Sequence, residues 1–304
     1  MPEYPDVSVY VECLQRRIQD EILEGIQIVG PALLRSVDPP LREAEGRRVT
    51  RVERLGKRIV IGLEEDLFLV VHLMIAGRLR WRAQAARASR KTGLAAFQFS
   101  SGTLLLTEAS PRKRASLYLV CGEASLRAHD PGGLNVLELD TAHFRAQLLL
   151  ENRTLKRALT DPRLFDGIGN AYSDEILHRA GLSPVRLTRQ LDADEVERLR
   201  VAACETLEEW KQRLHDQVRD GFPEKVTAFR PEMAVHGRYK EPCPVCGSAV
   251  QRIVYAANET NYCPTCQTGG KLLADRALSR LLKKDWPHSL EELEERIANA
   301  RDGA

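Results

Sequence analysis

The chain predicts an α+β protein: an N-terminal helix, a β-sandwich or barrel, then a helical region carrying a four-cysteine hairpin. Three observations carry that prediction. Apolar residues recur at helical spacing at the very start, seven short β-branched runs follow, and beyond a Pro-Gly break helical periodicity replaces the strand signal. The 304 residues, 43% hydrophobic and 29% charged, suffice for two packed domains and exclude a disordered chain. The longest apolar runs, such as Leu67 to Val71, are far too short to cross a bilayer. No charged-then-apolar leader opens the chain, so a cytoplasmic protein without a membrane partner is expected.

Val7, Tyr10, Val11, Leu14 and Ile18 mark the first helix, over 7–18. Strands are expected at 25–29, 49–55, 58–63, 67–73, 95–100, 103–107 and 117–120, with Ser101-Gly102 turning one into the next. His129-Asp130-Pro131-Gly132-Gly133 reads as the linker. Helices are expected at 141–149, 152–160, 171–180 and 193–217, with Ser183-Pro184 separating the last two. A tail from Lys271 to Arg301 reads as two more helices divided at Trp286-Pro287.

The net charge of +2, from 45 basic and 43 acidic residues, says little, because acidic surface elsewhere can offset a basic stripe. Local runs say more. From Arg78 to Arg114 nine basic residues (Arg78, Arg80, Arg82, Arg87, Arg90, Lys91, Arg112, Lys113, Arg114) face Glu108 alone, and from Arg47 to Arg58 six face only Glu53. Such runs permit phosphate binding, and a solvated face reads the same way. With 6% aromatic residues, stacking platforms for single strands are few.

Cys243-Pro-Val-Cys246 and Cys263-Pro-Thr-Cys266 are two C-x2-C knuckles with sixteen residues between them. That spacing lets four thiolates wrap one tetrahedral Zn²⁺, a closed structural site with no position for chemistry. Val250–Tyr255 and Asn261–Tyr262 look like a small hairpin between the knuckles. Cys13, Cys121 and Cys204 read as small buried hydrophobes. Metal-bound thiolates beside unpaired cysteines fit a reducing cytosol.

The N-terminus carries the most reactive combination. Removal of Met1 would expose Pro2 as a secondary amine, which titrates near 7.7–8 against about 10.4 for a lysine. About a tenth of such an amine is unprotonated at neutral pH, enough for a nucleophile and imine former; a bare Met-Pro is also how an ordinary terminus begins. Glu3 beside it offers a proton shuttle, or merely a favourable acid at a helix start. Lys57 follows Gly56 in a tight turn between two strands, placing an ammonium at a hairpin tip. Gly167-Ile168-Gly169-Asn170 opens a helix, where backbone N–H groups at the positive end can cradle a phosphate or simply form a tight turn.

The opening Met1-Pro2-Glu3-Tyr4-Pro5-Asp6-Val7, the pair Gly56-Lys57, the Gly167–Asn170 loop and the Cys₄ hairpin occur in one order. Over residues 2 to about 267 this chain resembles the formamidopyrimidine-DNA glycosylase / endonuclease VIII family of base-excision-repair enzymes. The resemblance implies an N-terminal helix and β-sandwich over 1–130 and a helical helix–two-turn–helix domain over 131–240. It implies a Cys₄ zinc finger over 241–268, leaving a helical extension over 269–304. It also implies a glycosylase with abasic-site lyase activity, needing no catalytic metal or organic cofactor. Pro2 would attack C1′, Glu3 would move protons, and Lys57 would contact phosphate or act as an acid on the base. Gly169 and Asn170 would clamp the phosphate flanking the lesion, with Lys156 near the phosphates and Glu175 near the active centre. Asp6 stands where the family has a second Glu and keeps an amine-orienting role. Val235-His236-Gly237-Arg238 leads into the hairpin as the family's Val-Tyr-Gly-Arg does. The expected partner is damaged DNA, bound by a monomer that would associate with the nucleoid if bacterial.

The chain departs from the pattern in three places. Asn258, five residues before Cys263, replaces the hairpin Arg that grips phosphates, and Glu259 beside it is repulsive. Ile75, Arg112 and Arg114 stand where the family fills the hole left by the extruded base with Met, Arg and Phe, and the loss of the aromatic at Arg114 suits single strands, mismatches or unusual lesions. The 38 residues after Cys266 extend beyond the family's usual end, first as an apolar helical stripe from Leu272 to Leu282, then as an acidic helix. Two alternatives therefore stand beside the glycosylase: a non-catalytic DNA-binding member, and an enzyme for abasic, crosslinked or single-stranded DNA.

Overall fold

A computed structural model of the chain describes residues 1–255, 258–274 and 287–302. Among them the chain divides into two compact units: Met1–Gly133 with Leu207–Ala228, and Leu134–Thr206 with Phe229–Ala304. No helix among the described residues is long and apolar enough to cross a membrane.

The first unit opens with α1 (Tyr4–Ile18), started by Pro5 in its first turn and basic at its end through Arg16 and Arg17. Eight strands follow: β1 (Gly25–Ile28), β2 (Val49–Leu55), β3 (Arg58–Leu63), β4 (Leu67–His72), β5 (Gly77–Arg82), β6 (Gly93–Phe99), β7 (Gly102–Glu108) and β8 (Ser116–Cys121). They form two antiparallel four-stranded sheets, ordered β1-β6-β7-β5 and β2-β3-β4-β8. The sheets and α1 bury one core that includes Tyr10, Leu14, Ile59, Leu69, Phe97, Leu106 and Leu117. A sandwich with one helix against it is thus observed, with α2 (Glu123–Arg127) closing the unit.

β5 was not among the expected strands. Its alternation Gly-Arg-Leu-Arg-Trp-Arg has the period of a strand, but arginines occupy the polar phase, so it reads as a basic run. Cys121 also departs from expectation: it is exposed, as the last residue of edge strand β8, while Cys13 is buried and Cys204 half-buried with its thiol on the Val136 carbonyl at 3.5 Å.

The second unit contains α3 (Thr141–Leu148), α4 (Leu155–Thr160), α5 (Asn170–Arg179) and the start of α6 (Ala193–Val218). Asp140 caps α3 by accepting the His143 N–H at 2.8 Å. Phe144 and Phe165 stack at 4.9 Å in the core of this unit. The zinc hairpin is β9 (Gln251–Tyr255) paired antiparallel with β10 (Asn258–Tyr262), followed by α7 (Pro264–Thr268). Residues 207–228, which the sequence places in the helical domain, pack with the first unit because Leu214, Val218 and Phe222 bury against Val9 and Cys13 of α1. The acidic tail forms α8 (Leu290–Asp302). Its attachment is visible in Leu272 N–H on the His288 carbonyl and Leu290 N–H on the Gly270 carbonyl. The expected helix before Trp286 lies outside the described residues.

Candidate active site and nucleic-acid interface

In the first unit Pro2 is buried and Glu3, 2% exposed, sits at the N-cap of α1. The Glu3 backbone N–H donates to Asp6 Oδ2 at 3.0 Å, and Asp6 is itself buried. The carboxylate of Asp6 therefore fixes the chain entering the helix. The Met1 α-amine is held below its ordinary value of 8.0, chiefly by burial and further by Arg78 and Lys57, against the opposing pull of Glu3 and Asp6. Lowering an amine's pKa raises its neutral, nucleophilic fraction.

Lys57 lies in the β2–β3 turn, where Gly56 adopts φ +63°, a left-handed conformation that side chains resist. Arg54 Nη1 donates to the Gly56 carbonyl at 2.8 Å and pins the turn. His72, at the end of β4, pairs in register with Arg58 on β3 and Ser116 on β8. Burial and the nearby Arg58 and Lys57 cations push its imidazole down to about 4, so it is neutral at pH 7. Sequence reasoning missed His72, because a histidine ending an apolar strand carries no motif.

Two fingers project from the same unit. Ile75 is 57% exposed in the β4–β5 loop, beside Met74 at φ +53°. Arg78 holds that loop by donating to the carbonyls of Ile75 at 3.1 Å and Val226 at 2.6 Å. Arg112 and Arg114 are exposed on the β7–β8 loop, whose base is tied by buried Glu108: its carboxylate accepts the N–H groups of Arg114 at 2.9 Å and Ala115 at 3.1 Å.

In the second unit Gly169 is the N-cap of α5 and Asn170 its first residue. Asn170 Nδ2 donates to the Glu259 carbonyl of β10 at 2.8 Å, joining the helix start to the hairpin. Lys156 from α4 reaches the Asn170 carbonyl at 2.6 Å and Asp174 Oδ1 at 2.5 Å. Glu175 is buried and holds the turn before the hairpin: it accepts N–H bonds from Ala234 at 2.7 Å and from Val235 and His236 at 2.9 Å. Burial still pushes its carboxyl above the ordinary range, against those three bonds. Asp6 and Glu175 are both buried, and the carboxylate of each accepts backbone N–H groups. Glu259, expected to repel phosphate, has its carboxylate bonded to Arg252 at 3.0 Å and Asn261 at 2.8 Å. Asn258 begins β10, and its side chain lies outside the described residues.

The sulfurs of Cys243, Cys246, Cys263 and Cys266 all lie within 4.8 Å of one another. Four thiols this close cannot all ionise without a cation. Burial pushes the Cys263 thiol up to about 11, whereas hydrogen bonds from Ser248 overcome burial at Cys246 and bring it down to about 6. A divalent cation removes that conflict, so the donor set fits Zn²⁺. His178 Nε2 stands 3.3 Å from Cys243 Sγ, a hydrogen bond that orients the sulfur when that nitrogen carries the proton.

A β-sandwich with a buried helix start at its N-terminus, followed by a helical unit with a glycine-led helix start and a four-cysteine hairpin, is the architecture of DNA-repair glycosylases with a structural zinc finger. Comparison with known proteins agrees. Residues 1–117 match the formamidopyrimidine-DNA glycosylase N-terminal domain, 134–216 its H2TH domain, and 240–269 the zinc finger found in FPG and IleRS. A formamidopyrimidine-DNA glycosylase of Thermus thermophilus is 35% identical over 282 residues, covering 89% of this chain and all of that relative. The chain also superposes on MutM bound to DNA containing carbocyclic 8-oxo-G, with TM-score 0.77, 26% identity, and 88% and 100% of the two chains covered. On Lactococcus lactis formamidopyrimidine-DNA glycosylase non-covalently bound to abasic-site DNA the values are 0.76, 25%, 88% and 99%. The chain belongs to the formamidopyrimidine-DNA glycosylase family, and it carries one structural zinc site.

Proposed function

We propose that this protein is a base-excision glycosylase with abasic-site lyase activity, working through an imine on Pro2. The observation that carries the reading is the geometry at the start of α1, where Pro2 and Glu3 are both buried and Asp6 fixes the chain entering the helix, in a unit matching the family's N-terminal domain. Once Met1 is removed, the Pro2 lone pair attacks C1′ as the bond to the base breaks, and the base departs with those electrons and the N–H proton that Pro2 gives up. Glu3 protonates the ring oxygen as the sugar opens, leaving an iminium between Pro2 and C1′. Loss of a C2′ proton then expels the 3′ phosphate, and water releases the enzyme. Lys57 contacts phosphate or the base, and Lys156, Gly169 and Asn170 hold the phosphates beside the lesion.

In this reading residues 1–130 carry the chemistry, 131–240 and the finger 241–268 bind DNA, and 269–304 is an added helical extension. The protein acts as a cytoplasmic monomer, associated with the nucleoid if bacterial. A second reading, abasic or crosslinked sites in single strands, is favoured by Arg114, where a charged, exposed side chain replaces an unstacking aromatic. Strand cleavage assays on matched single- and double-stranded oligonucleotides, each with one abasic site or one oxidised base, test both. Turnover of the oxidised base in duplex supports the first, and cleavage confined to single strands supports the second. Equal affinity for damaged and undamaged DNA with zero turnover, in protein lacking Met1, contradicts both and leaves a non-catalytic DNA-binding member.

A further inference from the structure

The four metal-binding cysteines sit on two knuckles that are held in different ways. The first, Cys243 to Cys246, is stitched by its own neighbours. Cys243 N–H donates to the Ser248 carbonyl and Gly247 N–H to the Cys243 carbonyl, both at 2.9 Å. Lys240 N–H reaches the Val250 carbonyl and Val250 N–H the Glu241 carbonyl, again at 2.9 Å, closing the turn on both sides. The second knuckle runs into α7, which has only five residues. A helix that short does not hold itself in water. Gln267 ties its middle, accepting the Cys263 N–H at 2.8 Å and donating to the Leu182 carbonyl at 2.9 Å. Its end is tied by residues beyond the zinc-finger match, which stops at 269.

Gly269 ends α7 in a left-handed conformation at φ +61°, and the chain folds back. Gly270 N–H donates to the Pro264 carbonyl at 3.0 Å. Leu273 N–H donates at 2.8 Å to the hydroxyl of Tyr262, the buried residue before Cys263. The Thr268 hydroxyl stands 2.6 Å from the Lys271 carbonyl. A second passage then closes over the first. Leu272 N–H donates to the His288 carbonyl at 3.0 Å and Leu290 N–H to the Gly270 carbonyl at 3.2 Å, with Lys271 opposite Ser289 in an antiparallel bridge. The Ser289 hydroxyl accepts the Glu292 N–H at 3.1 Å, and the Glu292 carboxylate accepts the His288 N–H at 2.8 Å. That reciprocal cap fixes where the returning chain becomes α8. Leu272 is 6% exposed and Pro287 is buried, so apolar side chains cover the joint.

We propose that the tail beyond residue 269 is a metal-retention clasp, which holds α7 closed and so slows escape of zinc from Cys263 and Cys266. A closed tetrahedral site offers no coordination position to an incoming ligand, so a knuckle must open before the ion leaves. The tail adds bonds that must break before the second knuckle opens. Metal binding to an unorganised site also carries the entropy of ordering it, whereas a clasped α7 is ordered in advance. The ion is therefore held both more tightly and for longer. This role concerns the zinc site alone and is independent of Pro2 and of the lesion.

The test is zinc release from full-length, zinc-loaded protein, well below its melting temperature, followed by the absorbance of the chelator pyridylazoresorcinol. Two substitutions open the clasp from opposite sides. Leu290→Pro removes one N–H at the first position of α8, where proline suits a helix, and so deletes the bond to Gly270 while keeping α8. Leu272→Asp puts a charge into the buried joint. Release is expected to be about fivefold faster for Leu290→Pro, the net worth of one hydrogen bond, and about tenfold faster or more for Leu272→Asp. Cobalt-substituted protein should show the same thiolate-to-metal absorption in wild type and both variants, and the first unit should melt at the same temperature in all three. Release from Leu290→Pro at the wild-type rate overturns the inference, whatever Leu272→Asp does, because a tail that merely adds stability shifts the melting of the second unit and not the release below it. A changed cobalt spectrum in Leu290→Pro overturns it too, since the substitution would then have altered the ligands themselves.

Discussion

The first unit holds its reactive groups through backbone, and the second through one buried side chain. Pro2, Glu3, Asp6 and Lys57 come from a helix start and a strand turn, and the bonds that place them run to main-chain atoms: Glu3 N–H to Asp6, Arg54 to the Gly56 carbonyl. In the second unit Asp174 gathers Lys156, His236 and the hairpin backbone at once. Sites tied to a sandwich survive the loss of a single partner, whereas a carboxylate hub distributes the damage across every group it orients. In the proposed reaction, a nucleophile that must meet one carbon suits the first arrangement, and the proposed phosphate-matching surface suits the second.

The sharpest break between the two comes from the metal. Chelation of zinc, or Cys263→Ser, is expected to unfold the hairpin while leaving the sandwich intact, because structural zinc sites contribute about 10–16 kcal/mol of apparent binding energy. DNA affinity should fall at least a hundredfold, read by anisotropy. Proteolysis should open new cuts only around 240–270. Cuts throughout the first 133 residues would show that the units do not stand apart.

Next in size is Glu3→Gln. Loss of the proton shuttle should slow base release by about 10²–10⁴-fold with affinity for abasic-analogue DNA unchanged, since the change leaves the phosphate cluster untouched. Equal losses in affinity and rate would mean that Glu3 shapes binding. Glu175→Ala should then cost about 3 kcal/mol in the second unit by orphaning three buried N–H groups, measured as a lowered melting transition.

Smaller still is a pH effect confined to the first unit. The His72 imidazole is depressed to about 4 in the folded chain, so its neutral form is the one folding favours. Its contribution is present above the unfolded value of about 6.5 and is lost as pH falls toward 4, by at most about 3 kcal/mol. His72→Gln should flatten the melting temperature of the sandwich between those values. An unchanged pH profile would place the acid sensitivity in another group.

Much of this was legible in the sequence, because local signals write it. The helix of α1, the linker before Leu134, the turn at Gly56 and the C-x2-C knuckles each follow from residues adjacent in the chain. β5 escaped because arginine on the polar phase of a strand looks like a charge run. The Asp174–His236 pair escaped for a different reason: the partners lie 62 positions apart, and only the packing of α5 on the hairpin joins them. Cys121 shows the same limit, since an edge position is a property of the sheet.

The measurement that tests the central claim most directly is borohydride trapping on a duplex with one abasic site, alongside an intact mass of the N-terminus and a Pro2→Gly control. The account predicts a covalent protein–DNA adduct with wild-type protein lacking Met1, sharply reduced in the control. No adduct with correctly processed, zinc-loaded protein, or an adduct of undiminished yield with Pro2→Gly, would contradict it.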